Sequence, residues 1–279
     1  MELTHKDVLN FLPDRNPNSH KGDYGKILLL CGSRGYTGAA ALSAMGALRC
    51  GAGLVYLGVP ECIYAIEAVK LNEPVVFPLP DEDGMLSINA LPEILKLLPK
   101  VDAVLIGCGL GCSDDTFQIL QSVLREFSGP VVIDADGINM LTGHIDILRG
   151  RAGVTILTPH DMEFQRAGGV LTDDRTDSAM TFAKNANSIV LLKGNRTIIT
   201  DGMDCYINPT GNAGMAVGGC GDVLAGMITA LLGQGIPSLN AAACGAWLHG
   251  AAGDICAEEI GQYGMLPTDM LQVLPRLLK

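Results

Sequence analysis

The chain has 279 residues, of which 35 are Gly and 14 are Pro, and a formal net charge of -11 at pH 7. An acidic chain lacks the basic surface that binding to a nucleic-acid backbone requires. No uncharged apolar stretch reaches the roughly 18 residues of a membrane span, and residues 1–15 contain no apolar signal region. We therefore expect a cytoplasmic protein without nucleic-acid or membrane partners. Because no linker-like segment interrupts the chain, we expect a single domain over residues 1–279.

Short, continuously apolar runs recur along the first two thirds of the chain and predict buried parallel strands. They lie at residues 26–32, 53–59, 102–109, 129–135, 153–159 and 188–194. The segments between most of them have helical patterns, at residues 39–50, 63–69, 91–98, 114–127, 164–167 and 177–186. Strands that alternate with helices predict an α/β fold, a mostly parallel, doubly wound sheet with helices on both faces.

The pattern changes after residue 194. Residues 197–209 contain two apolar segments around an Asp-Gly turn, which predicts a β-hairpin. Helices are then expected at 222–232, 239–258 and 267–278. The faces of the first two of these helices are rich in Ala and Gly, which predicts close helix packing. We expect part of this packing to lie at a subunit interface. The nine Cys residues contain no Cys-x-x-Cys pair, so neither a zinc site nor a disulfide framework is expected.

Glycines and polar residues collect where the predicted strands end. They occupy residues 32–35, 107–111, 134–136, 158–160 and 193–196. In parallel sheets of this kind the ligand binds beyond the carboxyl ends of the strands. Five strands that end in this way predict one ligand site at that edge of the sheet.

A glycine-rich segment, Gly218 to Gly221, precedes Asp222 and a long apolar run. Glycines allow backbone N–H groups to turn toward an anion, and the start of a helix adds the positive end of its dipole. Asp222 can be interpreted as a helix N-cap, or as a base that takes a proton from a hydroxyl while the N–H groups hold a phosphoryl group. We favour the base, because a cap does not need several small residues before it.

Seven segments together resemble the NAD(P)H-hydrate dehydratase family of the ribokinase-like superfamily. They are HKGDYGKILLLCGS (20–33), GYTGAAALSAMGALRCGAGLV (35–55), IGCGLG (106–111), VVIDADGIN (131–139), LTPHDMEF (157–164), VLLKGNRTII (190–199) and NPTGNAGMAVGGCGDVLAGMI (208–228). The resemblance extends over about residues 15–275 and implies a ribokinase-like three-layer sandwich.

The resemblance also implies an activity, the repair of hydrated nicotinamide cofactors. ADP or ATP, with Mg²⁺, supplies a phosphoryl group to the C6 hydroxyl of the S epimer of hydrated NADH or NADPH. Phosphate then leaves, and NADH or NADPH is regenerated. Family members often carry an epimerase domain at the amino terminus, for which this chain has no room. We therefore expect a separate epimerase, and a homo-oligomer for which a tetramer is our working expectation.

Particular residues match the family's functional positions. Asp222 is implied as the base and as a contact of the hydrated dinucleotide. The other implied contacts of that dinucleotide are Ala39, Gly109 and His160. The implied nucleotide-binding residues are Lys193, Gly194, Asn195, Arg196, Thr197 and Gly221. Glu163 resembles a metal-motif acid and is expected to act on Mg²⁺ through water.

Several of these residues have a purely structural interpretation as well. His160 would cap the helix that follows it, and Lys193 would be a solvated residue at the end of a strand. Asp134 and Asp136 would cap a helix that begins near Gly137, which we favour over an effect on magnesium through water. The sequence departs from the family pattern at Cys108, which replaces a more usual proline, at Cys220, where Thr or Ser is common, and at Asp161–Met162, which replaces Pro-Gly. None of these changes removes a group that the chemistry needs.

Two other functions remain open from the sequence. A ribokinase-like kinase of a small alcohol, such as a hydroxyethylthiazole or a hydroxymethylpyrimidine, would use the same base and would stop at the phosphorylated product. A nucleotide sensor would keep the glycine loops without turnover. An acid beside the phosphate site, Asp222, gives no advantage to a protein that only binds nucleotides, so an enzyme is expected.

Overall fold

The computed structural model describes residues 1–278. Within them, the strands are β1 Lys26–Leu30, β2 Leu54–Pro60, β3 Val75–Leu79, β4 Asp81–Glu82, β5 Met85–Leu86, β6 Ala103–Ile106, β7 Val131–Ile133, β8 Thr155–Leu157, β9 Ile189–Leu192, β10 Ile198–Thr200 and β11 Cys205–Ile207. The helices are α1 His5–Phe11, α2 Thr37–Arg49, α3 Glu61–Lys70, α4 Leu91–Leu97, α5 Asp114–Glu126, α6 Asp136–Met140, α7 Asp161–Arg166, α8 Arg175–Ala186, α9 Cys220–Gly233, α10 Ser238–Glu259 and α11 Pro267–Leu277.

In residues 1–278 one sheet of nine strands forms the centre of the fold, in the order β11-β10-β9-β8-β7-β6-β1-β2-β3. The strands from β9 to β3 are all parallel, while β10 pairs antiparallel with β9 and with β11. From β1 the chain first builds the sheet in one direction, through β2 and β3, and later in the other, from β6 to β9. The strand order therefore reverses between β1 and β6, and such a switch point opens a crevice for ligands.

Each face of the sheet carries its own layer of helices and its own apolar core. Side chains of α2, α9, α10 and α11 pack with the alternate strand residues Ile27 and Leu29 on one face. Side chains of α4, α5, α7 and α8 pack with Leu28 and Leu30 on the other. The inner strands are apolar throughout because both of their faces are covered. The predicted three-layer α/β architecture is confirmed.

The close packing predicted for the Gly- and Ala-rich helices is present inside the chain. A Cβ atom at Gly226 of α9 would lie 2.0 Å from the carbonyl oxygen of Ser43 in α2, and one at Gly46 would lie 2.5 Å from that of Val223. Only residues without side chains allow two helices to approach so closely. The small residues of α9 thus serve contacts within one chain.

The structure contains elements that the pattern did not predict. Strand β3 was missed because its residues are half exposed and include Pro78, which fits only an edge strand. The short β4–β5 hairpin turns at Asp83 and Gly84, both with positive φ. Helix α1 has a capping box between Thr4 and Asp7. No helix in residues 1–278 is long and apolar enough to span a membrane.

Candidate active site

Most of the candidate site residues lie at the carboxyl end of the sheet, beside the β1–β6 switch point. The loops after these two strands touch, because Gly32 N–H donates to the carbonyl of Cys108 and the Ser33 hydroxyl donates to that of Gly109. Helix α9 points its first turn toward the same place, since its Asp222 lies beside the end of β6. The carboxyl ends of five strands therefore border one cleft, those of β1, β6, β7, β8 and β9.

Helix α9 begins two residues earlier than predicted, at Cys220, so Asp222 lies within its first turn. The N-cap is Gly219, whose φ of 100° is accessible to glycine and strained for other residues. The Asp222 side chain does not cap the helix. The N–H groups of Gly221 and Asp222 belong to the first turn, where a helix has no backbone acceptors of its own. Such N–H groups can hold an anion, and the anion site that the glycine pattern predicts here stays a prediction.

The carboxylate of Asp222 lies in a cluster with two buried side chains. An oxygen or sulfur atom of each of Cys108, Asp134 and Asp222 lies within 4.8 Å of the other two. Burial, and then the negative charge of Asp134, raises the pKa of Asp222 to about 6, against an opposing effect of the Cys108 thiol and of Lys193. Hydrogen bonding to Cys31 and burial raise the pKa of Cys108, so its thiol stays protonated. A carboxylate with a pKa near 6 is suited to accept a proton at neutral pH.

Lys193 joins the cluster from the end of β9. Its Nζ lies 2.9 Å from Oδ1 of Asp134 and 3.6 Å from Oε2 of Glu163. Burial alone would lower the pKa of Lys193, but these two carboxylates raise it, so the side chain stays charged. A Cβ atom placed on Gly221 would lie 3.4 Å from the Lys193 Nζ. The ammonium group therefore adjoins the first turn of α9, where it adds a full positive charge beside the N–H groups of that turn.

His160 and Glu163 form a capping box at the start of α7. Nδ1 of His160 accepts hydrogen bonds from the N–H groups of Met162 and Glu163, and Glu163 Oε2 accepts one from the His160 N–H over 2.8 Å. The structural interpretation of His160 as a cap is thus correct. The other ring nitrogen, Nε2, lies 3.4 Å from Glu163 Oε1, and half of the side chain is exposed. A contact between His160 and substrate remains compatible with this arrangement and stays a prediction.

The predicted nucleotide loop divides into an inner and an outer part. Lys193 lies in the cleft, and Thr197 closes the turn by donating to the Gly194 carbonyl over 3.0 Å. Asn195 is exposed, and Arg196 pairs with Glu2 over 2.5 Å at the surface. Lys193 therefore lies beside Gly221, whereas the Arg196 guanidinium is paired with Glu2 at the surface.

Arg175, at the start of α8, supports this loop and was missed by the sequence analysis. Its guanidinium donates to the Lys193 carbonyl over 3.1 Å and pairs with Asp161. A Cβ atom on Gly194 would lie 2.9 Å from the same guanidinium. Arg175 follows no strand, so the strand-end pattern contained no signal for it.

Ala39 and Gly109, the predicted contacts of the hydrated dinucleotide, are adjacent. A Cβ atom on Gly109 would lie 2.8 Å from the Ala39 Cβ and 2.9 Å from that of Tyr36. Gly109 has a φ of 59°, and the side chain of Tyr36 is 63% exposed. These residues border the cleft at the β1–β6 switch point, on the side away from the Lys193–Thr197 loop.

The interpretation of Asp134 and Asp136 as caps of α6 is wrong. The N-cap is Ala135, with a φ of 48°, and no side chain caps the helix. Asp134 is 1% exposed, and its Oδ1 accepts from Thr158 Oγ1 over 2.7 Å as well as from Lys193. Asp136 Oδ2 accepts from the Gly111 N–H over 2.9 Å. The unusual backbone of Ala135 turns both carboxylates toward the cleft, a conformation that costs energy and is common at functional sites.

A model of the family described as NAD(P)H-hydrate dehydratase matches residues 27–276. The chain belongs to this family. The match includes β1 from its second residue, all the later strands and every candidate site residue.

Curated relatives of the family agree with this match. The chain is 43% identical over 275 residues to a bifunctional NAD(P)H-hydrate repair enzyme of Moorella thermoacetica, covering 96% of this chain and 52% of that protein. It is 35% identical to the enzyme of the same description from Escherichia coli, covering 98% of this chain and 51% of that one. The chain thus spans about half the length of the curated relatives it matches.

Solved structures of NAD(P)H-hydrate dehydratases share the fold. The ADP/ATP-dependent NAD(P)H-hydrate dehydratase of Bacillus subtilis, co-crystallised with ATP and Mg²⁺, has a TM-score of 0.85 and 32% identity, covering 98% of this chain and 96% of that one. A ribokinase-like superfamily protein of Enterococcus faecalis has a TM-score of 0.87 and 26% identity, covering 99% and 94%. A hydroxyethylthiazole kinase of Pyrococcus horikoshii, at 16% identity and a TM-score of 0.67 over 97% of this chain and 92% of that one, shares the fold alone.

Proposed function

We propose that the chain is an ADP- or ATP-dependent (S)-NAD(P)H-hydrate dehydratase, which returns hydrated NADH and NADPH to their active forms. Family membership supports this choice over a small-alcohol kinase, because the chain and the hydroxyethylthiazole kinase structure are similar in fold alone. The observation that carries the proposal is the position of Asp222. Its carboxylate, with a pKa raised to about 6, lies in the first turn of α9, beside the charged Lys193.

The proposed reaction begins with proton transfer to Asp222. The hydrated ring lies toward Ala39 and Gly109, and its C6 hydroxyl faces the Asp222 carboxylate. As the carboxylate takes the proton, the hydroxyl oxygen attacks the terminal phosphorus of the nucleotide, and the bond from that phosphorus to the bridging oxygen breaks. The N–H groups of Gly221 and Asp222 hold the transferred phosphoryl group, and Lys193 offsets its negative charge.

The second half of the reaction removes the new phosphate from the ring. The C6–O bond breaks and phosphate leaves with its electron pair, while the neighbouring ring carbon gives a proton to the departing phosphate and the double bond forms again. Hydroxide is a poor leaving group and phosphate is a good one, so the nucleotide makes the dehydration feasible. ADP becomes AMP, or ATP becomes ADP. In this scheme the Lys193–Thr197 loop and Gly221 bind the nucleotide, and His160 contacts the hydrated dinucleotide.

The donor set of the cleft fits a magnesium ion. Mg²⁺ prefers oxygen ligands and is usually held by one or two carboxylates together with substrate phosphates and water. Among residues 1–278, Oδ2 of Asp134 accepts a hydrogen bond from the Cys108 thiol alone, at 3.6 Å, and would be the protein ligand. A protonated thiol is a poor ligand for this metal, and Glu163 is occupied by His160 and Lys193, so Glu163 would act through water. When bound, Mg²⁺ would neutralise charge on the transferred phosphoryl group.

The proposal is tested by supplying the enzyme with S-hydrated NADH, Mg²⁺ and either ADP or ATP. We expect the absorbance of NADH to return, with AMP or ADP and inorganic phosphate as the other products. Accumulation of a phosphorylated hydrate without NADH would indicate a kinase. Phosphorylation of a hydroxyethylthiazole, with no reaction on the hydrate, would favour the alternative small-alcohol kinase. Nucleotide binding without turnover of either substrate would indicate a sensor.

Three further features accompany this proposal. We propose that the enzyme acts in the cytoplasm, that it assembles as a homotetramer, and that an epimerase activity supplies the S epimer. Exposed apolar side chains on α3 and at the β3 edge support self-association, among them Ile66, Val69 and Val75. Light scattering of the purified protein, at several concentrations, measures the assembly.

A further inference from the structure

A buried histidine lies behind the anion site and has no assigned role. His249, on α10, is 7% exposed, and its Nε2 atom is buried without a hydrogen-bond partner. An unpaired polar atom in the interior costs stability, so its presence needs a reason. Three other side chains in the described residues share this property, those of Ser43, Arg49 and Glu67. Only His249 adjoins the predicted nucleotide site.

The position of His249 follows from the contacts of its helix. Its imidazole meets the backbone of Cys220, the first residue of α9, and is close enough to Lys193 to respond to its charge. Burial, with the positive charge of Lys193, lowers the pKa of His249 to about 4, although the Cys220 contact opposes this change. The ring is therefore neutral at physiological pH, with one nitrogen that donates and one that accepts.

The glycine-rich loop of residues 208–219 runs along the same face of α10. Its first half is fixed there: Asn208 donates to the Ala246 carbonyl over 3.1 Å, and Thr210 to the Trp247 carbonyl over 2.9 Å. Asp254 also accepts from the Gly211 N–H over 2.9 Å. Helix α10 thus holds the first half of this loop by hydrogen bonds. His249 lies in the same stretch of the helix.

The second half of the loop makes its backbone hydrogen bonds within the loop, from the Ala216 N–H to the Ala213 carbonyl and from the Val217 N–H to the Met215 carbonyl. Ala216, Val217 and Gly218 are exposed, and a Cβ atom on Gly218 would have no neighbour within 4 Å. This segment leads into the first turn of α9, whose N–H groups form the anion site. Because Nε2 of His249 is enclosed by protein, a nucleotide in the cleft cannot reach it directly. Residues 216–219 directly precede Cys220, whose backbone the His249 imidazole meets, so their polar groups are the nearest candidates along the chain for a partner of Nε2.

We infer that His249 is a positioning residue of the nucleotide site, whose Nε2 hydrogen-bonds the segment 216–219 in the arrangement that holds the phosphate end of the nucleotide. The inference rests on the proposed function, since it needs a nucleotide at Lys193 and Gly221. The hydrogen bond forms together with nucleotide binding, so its free energy contributes to nucleotide affinity. The base, Asp222, is unaffected.

Three substitutions of His249 separate this role from simple packing. His249→Phe keeps the ring volume and removes both nitrogens. His249→Gln places an amide near the position of Nε2, and His249→Asn places one near Nδ1. Ser43→Ala is the matched control, because it removes another buried, unpartnered polar atom at the contact between α2 and α9. The probe is ADP, titrated calorimetrically into the full chain with Mg²⁺, and Tm is measured without nucleotide.

We expect His249→Phe to raise the Kd and the KM for ADP about tenfold, as for the loss of one buried hydrogen bond, with little change in kcat. Its Tm without nucleotide should equal or exceed that of the wild type. His249→Gln should restore most of the affinity and His249→Asn should not, while Ser43→Ala should bind ADP like the wild type.

Equal ADP affinity in the wild type and in folded His249→Phe would overturn the inference. If His249→Phe does not fold, the comparison of Gln with Asn decides: tighter binding by the Gln variant supports the role of Nε2, and equal binding overturns it. A wild-type chain that binds neither ADP nor ATP would instead refute the proposed function, and the inference would fall with it. These two failures are distinguished by the wild-type titration alone.

Discussion

The Lys193 ammonium donates to Oδ1 of Asp134 over 2.9 Å, and this contact joins the ends of β9 and β7 at the floor of the cleft. Asp134 is almost fully buried and also faces the Asp222 carboxylate. Lys193 therefore has two functions that can be separated. It neutralises a buried carboxylate, and it presents positive charge to the anion site at α9.

Substitution of Lys193 should affect both stability and nucleotide binding. Lys193→Met leaves Asp134 buried without its cation, so we expect the free energy of unfolding to fall by about 2 to 4 kcal/mol. Adding Asp134→Asn should recover part of this loss, as measured by urea unfolding. Lys193→Ala should raise the KM for ADP and leave affinity for the hydrated dinucleotide nearly unchanged. An effect on the hydrated dinucleotide alone would show that the two halves of the cleft are assigned the wrong way round.

Gly221→Ala should separate stability from nucleotide binding. The added methyl group would lie 3.4 Å from Lys193 Nζ, with no backbone contact, so the chain should fold. Alanine favours a helix over glycine by up to about 1 kcal/mol, and Tm should stay level or rise. The methyl group narrows the space for phosphate, so the KM for ADP should rise several-fold. Gly150→Ala, at a glycine with open space around it, is the control. Unchanged ADP kinetics in Gly221→Ala would remove this residue from the nucleotide site.

Activity should depend on pH through the titration of Asp222. Only its deprotonated form can accept the hydroxyl proton, and burial with the charge of Asp134 raises its pKa to about 6. We expect kcat/KM to fall about tenfold per pH unit below pH 6 and to level off above pH 7. Rates measured over pH 5 to 8, on a chain shown by circular dichroism to stay folded, provide the test. A profile that stays flat down to pH 5 would contradict a base with this pKa.

The same pKa predicts that Asp222 destabilises the fold at neutral pH. The folded chain binds the Asp222 proton more tightly than the unfolded chain, whose pKa is near 3.8. The contribution of this group to stability therefore falls as pH rises from about 4 to 6 and stays unfavourable above 6. Asp222→Asn should raise the free energy of unfolding by about 1 to 2 kcal/mol at pH 8, with a smaller gain at pH 5. Denaturant titrations at both pH values measure the difference, and a loss of stability at pH 8 would contradict it.

The sequence predicted the layout of the sheet and the edge that carries the site, because buried parallel strands are continuously apolar and their ends meet. It did not predict the partner of Lys193. Asp134 lies 59 positions away, and its direction depends on the positive φ of Ala135, which no local pattern marks. Strand β3 was missed for a related reason, since an exposed edge strand with Pro78 lacks the apolar signature of its neighbours.

Site features formed by residues close together in the sequence could be predicted, and features formed by distant residues could not. The start of α9 at Gly219 and Cys220 is local, since the glycines and the helix start occur together in sequence. The His160–Glu163 capping box is local too, and the cap interpretation of His160 was correct. The contacts of Arg175 and the burial of His249 depend on how distant helices pack. They became visible only in the folded chain.

The most direct test of the account is the turnover of Asp222→Asn on S-hydrated NADH and ADP. The amide keeps the size of the side chain and leaves the backbone N–H groups at positions 221 and 222 in place, so ADP should bind with nearly the wild-type Kd. Removal of the base should lower kcat for NADH recovery by roughly 10²- to 10⁴-fold, with little change in the KM for ADP. A folded Asp222→Asn enzyme that binds ADP and regenerates NADH at near the wild-type rate would contradict the role of Asp222 as the base.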